Sequence, residues 1–145
     1  MFKNILIATD GSELSGKAVA AGFDLARQLR AQVTVVTVTE PWTALVAGDA
    51  AFGFPIDEYE KAADDSAARI LSGASKLARK ADIACATLHV KEQYPSEGIL
   101  DIADKKACDL IVIASHGRRG LERLLLGSVA VKVLTHSRVP VLICR

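Results

Sequence analysis

No apolar stretch in this chain approaches the roughly 20 residues that a bilayer-spanning helix needs, although 50% of its residues are hydrophobic. Aromatics make up only 5%, there is no long basic tract, and 18 Lys+Arg stand against 17 Asp+Glu for a net charge of +1. Nothing here favours tracking along a nucleic acid, which calls for clustered positive charge and stacking platforms. Three cysteines, Cys85, Cys108 and Cys144, are odd in number, far apart and set in apolar runs. They lack the Cys-x-x-Cys spacing of a metal or redox site and read as buried thiols of a reducing compartment. Equally missing are Gly-x4-Gly-Lys-[Ser/Thr], Gly-x-Gly-x-x-Gly and Gly-x-Ser-x-Gly, the signatures of P-loop, dinucleotide and nucleophile-elbow sites. Met1 to Asn4 pass into a strand pattern without a secretory leader. The expectation is a cytoplasmic protein whose 145 residues form a single domain around one core.

What is present is a regular alternation. Apolar, β-branched runs at 5–8, 33–38, 83–90, 110–114 and 139–144 predict five strands. Their nearly continuous hydrophobicity suits parallel strands covered on both faces. Between them, Glu13 to Arg30 sets Leu14, Ala18, Gly22, Leu25 and Leu29 on one helical face. Asp57 to Lys80 predicts a longer helix with Tyr59, Ala63, Ala67, Ile70, Ala74 and Leu77 inward. Its acids crowd the first turn and its bases the last, which complements the helix dipole. A third helix follows Pro95-Ser96, and a fourth begins near Gly127-Ser128 and ends around His136. The predicted fold is α/β, a doubly wound five-stranded parallel sheet with helices on both faces. Residues 39–55, with Trp42, Phe52 and Phe54 among prolines and glycines, form the only long irregular stretch. Packing against a partner or the sheet is favoured for it over service as a lid.

In such sheets ligands bind beyond the carboxyl ends of the strands, where strand order reverses. Those ends carry Thr9-Asp10, Val38-Thr39 and Ser115-His116-Gly117. If the first and fourth strands are neighbours, Asp10 faces the glycine loop that runs on to Gly127-Ser128. Such a loop, entering a helix, presents unpaired backbone N–H groups to phosphate. Ser128 also suits a plain helix N-cap. Arg118 and Arg119 can add charge, although a pair of arginines in a polar loop is commonly just solvated. His116 is expected to orient the loop through a backbone hydrogen bond rather than to activate Ser115. His89 and His136 have no neighbours in sequence that suggest a metal site.

Three fragments in order carry a family resemblance: Lys3 to Ser12, with Ile5-Leu6-Ile7-Ala8-Thr9-Asp10 at its centre; Ser115-His116-Gly117-Arg118-Arg119-Gly120 through Leu125-Leu126-Gly127-Ser128-Val129; and Val139-Pro140-Val141-Leu142-Ile143. Together they resemble the universal stress protein family over essentially the whole length. The resemblance implies an adenine nucleotide alpha hydrolase-like, Rossmann-like fold, a role in stress response and a homodimer. In ATP-holding members the pattern is Gly, two residues, Gly, nine residues, Gly, then Ser or Thr. Gly117, Gly127 and Ser128 fit it, whereas Ala114 stands where the first glycine belongs. The methyl group of Ala114 crowds a ligand lying against the backbone, so weakened or preserved ATP binding is expected rather than none. The resemblance places ATP, with Mg, among Ala8, Thr9, Asp10, Val38, Ala114, Ser115, His116, Gly117, Gly127, Ser128 and Val129. Asp10 would take the nucleoside end or hold the metal through water.

The last run, Val139 to Cys144, contains Pro140 and so belongs at a sheet edge. A bare apolar edge invites uncontrolled pairing, and a two-fold copy meeting it strand to strand is the economical cover. No residue set supplies an activated nucleophile or a tuned acid–base pair, so the chain is expected to be a binding module, any ATP hydrolysis being slow and incidental. The competing readings are a nucleotide-free interaction protein acting through its dimer surface, and a small hydrolase using Ser115 or Ser128.

Overall fold

A computed structural model describes residues 1–118 and 125–145. Strands β1 (Asn4–Ala8), β2 (Gln32–Val38), β3 (Cys85–Val90), β4 (Leu110–Ala114) and β5 (Val141–Cys144) form one sheet in the order β3-β2-β1-β4-β5. Every pairing is parallel. The chain steps outward from β1 through β2 to β3, then returns to pair β4 against the other side of β1. Order therefore reverses between β1 and β4.

Period-2 alternation divides the strands between two cores. Ile5, Ile7, Val33, Val35 and Val112 face α1 (Glu13–Leu29) and α2 (Ile56–Lys80), meeting Ala18, Phe23, Ala26, Ala74 and Ala78. Leu6, Val36, Ile111 and Ile113 face the other way, toward α3 (Pro95–Lys105) and α4 (Ser128–His136), where Ile99, Ile102 and Val133 close the layer. Asp109 locks the start of β1, accepting the N–H groups of Lys3 and Asn4 at 2.7 and 3.0 Å.

The helical faces depart from the sequence reading in detail. On α1 the fully buried stripe is Ser15, Ala18, Val19, Gly22, Phe23 and Ala26, with Leu14, Leu25 and Leu29 on its half-buried flanks. On α2, Leu77 points outward at 45% exposure while Ala78 is buried. The small side chains at 67, 74 and 78 let this helix lie close to the sheet, so size rather than hydrophobicity picks the inward face. Two strand boundaries also move. Ile83 donates its N–H to Ala78 (3.0 Å), closing α2 after the left-handed Asp82, so β3 starts at Cys85. The hydroxyl of Ser137 donates to the Val139 carbonyl and accepts the Val139 N–H, which keeps that residue in a turn, and β5 starts at Val141. Pro140 thus precedes the strand, although its carbonyl still accepts the Ile111 N–H at 3.0 Å. Both outermost strands are only partly covered, β3 included.

Residues 39–55 fold as a strap with two short 3-10 turns, Trp42–Ala44 and Gly48–Ala51. Trp42 stacks on Phe54 with centroids 5.5 Å apart, and Phe54 meets Tyr59 of α2 at 6.1 Å. The Tyr59 hydroxyl donates to the Glu40 carbonyl at 2.7 Å. The strap therefore packs on the first turn of α2.

Candidate functional site

The reversal between β1 and β4 brings Asp10 opposite the loop after β4. Asp10 clasps both sides. One carboxylate oxygen accepts the Ser12 N–H at 2.9 Å, and the other accepts the Arg118 N–H at 2.8 Å. Burial pushes the Asp10 carboxyl upward, but donors from Ser12, Arg118 and Ser15 outweigh it and hold the group below its ordinary value. Thr9 shapes the same turn from beneath. Its hydroxyl lies 2.9 Å from that of Ser15 and accepts the Gly11 N–H at 3.2 Å. Ser12 caps α1 by accepting the Ser15 N–H.

Gly117 has to be glycine for a reason of space. A Cβ there would sit 2.6 Å from the accepting oxygen of Asp10. At Gly127 a Cβ would stand 3.2 Å from the Ser115 carbonyl, which accepts the Gly127 N–H at 2.6 Å. That bond folds the loop back on β4 and aims the start of α4 at the crevice. Ser115 in turn donates its N–H to Cys144 of β5 at 2.7 Å. Arg118 lays its guanidinium over Gly11. Arg119 and Gly120 lie outside the described residues.

One expectation about this loop needs correction, and one alternative is set aside. Among the described residues His116 makes no side-chain bond to backbone; its Nδ1 lies 2.9 Å from the Ser115 hydroxyl, and its Nε2 is buried with no partner among them. Proximity of hydroxyl and ring does not make a nucleophile, because Ser115 is only 2% exposed and Asp10 is committed to backbone N–H groups. Ser128 is not the N-cap of α4. That position falls on Gly127, which has no side chain to cap the helix.

Each of the other three helices brings an acid to its first turn: Glu13 in α1, Asp57 and Glu58 in α2, Glu97 in α3. α4 has none, and its N-cap, Gly127, has no side chain with which to bond the first N–H groups. Its positive end is left for an anion to satisfy. Among the described residues no group of three or more His, Cys, Asp and Glu is placed to hold a metal ion.

A crevice of 670 Å³ opens over these groups, within the range that binds small organic ligands. It brings together Ala8, Thr9, Asp10, Val38, Ala114, Ser115, His116, Gly117, Gly127, Ser128 and Val129. Ala114 also packs within the core on the α1 side, so its methyl group is shared between core and crevice wall. Sequence reasoning missed the far wall. Leu45 of the strap, Tyr59, Ser66 and Ile70 of α2, and Pro95 and Ile99 of α3 line it. Tyr59 and Ile70 carried a signal, being assigned to the inward face of α2. That α2 runs past the sheet's carboxyl edge and roofs the crevice has no local signature.

The profile of the Universal stress protein family matches residues 1–145. Universal stress protein YxiE of Bacillus subtilis is 34% identical over the full length of both chains. Hypothetical protein MJ0577 superposes with a TM-score of 0.85 at 25% identity, covering 99% of this chain and 96% of its own. A universal stress protein solved in complex with cAMP superposes with a TM-score of 0.75 at 26% identity, covering 99% and 97%.

Proposed function

The chain belongs to the universal stress protein family, and from that premise we propose that it is a cytoplasmic, homodimeric stress-response module that binds ATP between Asp10 and the loop 114–128. The observation that carries this reading is the N-terminus of α4, alone among the four described helices in having neither a first-turn acid nor a capping side chain, and aimed into a crevice of nucleotide size. Phosphate oxygens would accept from the N–H groups of Ser128 and Val129, with the Ser128 hydroxyl as a further donor. The apolar end between Val38, Leu45 and Ile99 would take the base. A relative crystallised with cAMP supports an adenine nucleotide as the ligand class.

Asp10 acts here mainly as the clasp that holds the loop. A Mg²⁺ ion would arrive on the phosphates, with Asp10 as its nearby carboxylate. Among the described residues no side chain is placed as an activated nucleophile, which supports a ligand that is held rather than turned over. As purified, the protein is denatured and its supernatant resolved by ion exchange. ATP at near-stoichiometric yield is expected, and Asp10→Ala should release almost none. Equal yield from Asp10→Ala would remove this residue from the site.

The edge position of β5, with Leu142 39% exposed, supports dimerisation through Val139 to Cys144. Val141→Lys should convert the sedimenting dimer to monomer at micromolar concentration. An unchanged sedimentation coefficient would place the interface elsewhere.

A further inference from the structure

His89 lies outside every role described so far. It sits on β3, and its Nε2 is 2.7 Å from the hydroxyl of Thr39, the residue that joins β2 to the strap. Thr39 is also pinned through its N–H to the Val90 carbonyl at 2.8 Å. Thr39 stands in two walls at once, lining the crevice and a smaller 140 Å³ pocket that holds His89. From α2, Asp64, Glu60 and Tyr59 face this pocket; from the strap root, Glu40; from the end of β3, Lys91 and Glu92. The Asp64 carboxylate oxygen nearest the ring is 3.7 Å from Nδ1, and the same oxygen takes the Lys91 ammonium at 2.6 Å.

A neutral imidazole has one N–H and one lone pair. With that proton on Nδ1, the side of the Asp64 charge, Nε2 accepts and the Thr39 hydroxyl donates to it. The Thr39 oxygen then has only lone pairs to offer on its other side. When the ring takes a second proton, Nε2–H donates to Thr39, and the hydroxyl hydrogen is freed to point elsewhere. Building on the nucleotide reading above, we infer that His89 is a positioning residue for the base end of the crevice. Its protonation turns the Thr39 hydroxyl from an acceptor into a donor toward the bound base.

The consequence is a pH-dependent choice between bases. A base edge bearing an amino group, as in adenine, suits an acceptor. One bearing a carbonyl, as in hypoxanthine, suits a donor. Burial first, then Lys91, hold the imidazole below its usual value against the opposing pull of Asp64, so the change falls on the acid side of 6.5.

The test uses the full chain with ATP and ITP as probes. Calorimetric titration at pH 8 should favour ATP by about tenfold, and at pH 5 the ratio should fall to parity or invert. Thr39→Val should erase the pH dependence of that ratio, as should His89→Gln, which keeps a neutral polar group in place. Ring nitrogen NMR without ligand gives a second readout. Neutral His89 should carry its proton on Nδ1, and Asp64→Asn should lower its titration point. Tight binding of ATP with an ATP:ITP ratio flat in pH would overturn this inference alone, as would a neutral ring protonated on Nε2. No heat from either nucleotide at either pH would overturn both this inference and the nucleotide reading.

Discussion

Gly117→Ala is expected to weaken ATP binding by about 10- to 100-fold while leaving the fold intact. The added Cβ would lie 2.6 Å from the Asp10 carboxylate oxygen, closer than any real contact. The loop has to move, and the bond most exposed to that movement is the one from the Arg118 N–H to Asp10. Hydrogen bonds to a charged group contribute about 1.5–3 kcal/mol, which sets the scale of the loss. Gly117 is itself exposed, so thermal melting should scarcely change. Isothermal titration of the variant beside the wild type reads the effect, and matching affinities would mean that the clasp does not position the loop. The same clasp has an acid limit. The folded-state value of Asp10 is depressed, so its stabilisation is complete above the unfolded value near 3.8 and is lost as pH falls through the lower folded value. Loop order should therefore be unaffected across neutral pH and fail only in strong acid.

The second large effect is on stability. Ile111 is fully buried at the centre of the sheet, paired with Leu6 and packed toward α3 and α4. Ile111→Ala removes its side-chain contacts from a layer closed on both sides and should cost about 2–5 kcal/mol, a large share of the roughly 5–15 kcal/mol of a typical domain. Leu77→Ala makes the contrast. The sequence pattern puts Leu77 on the inward face of α2, whereas the structure turns it outward. This change should cost under about 0.5 kcal/mol, in line with surface positions. Urea unfolding midpoints measure both, and a Leu77→Ala cost near that of Ile111→Ala would contradict the packing of α2.

The contrast between those two residues shows where the sequence is legible. Strand runs such as Leu110 to Ala114 are decided by local chemistry, since only a doubly covered strand buries five consecutive apolar residues. The alternation of strands and helices then restricts the topology, and the Asp10–Gly117 proximity follows from the reversal between β1 and β4. Helix orientation is less visible. An alanine and a leucine one position apart compete for the core, and closeness to the sheet chose Ala78. Boundaries at Ile83 and Val139 were set by local hydrogen bonds, to Ala78 and Ser137, that no pattern announces. The near wall of the crevice was readable because it follows strand ends. The far wall, with Leu45, Tyr59 and Ile99, comes from where long elements happen to cross. The bond between Thr39 and His89 joins residues 50 positions apart and leaves no trace in sequence.

The measurement that bears most directly on the nucleotide site is an amide NMR titration of the full chain with ATP. Saturable shifts should concentrate at Gly117, Arg118, Ser128 and Val129, with smaller ones at Val38 and Thr39, and leave β5 unmoved. Shifts confined to other surfaces, or none at millimolar ATP, would contradict a phosphate site at the start of α4.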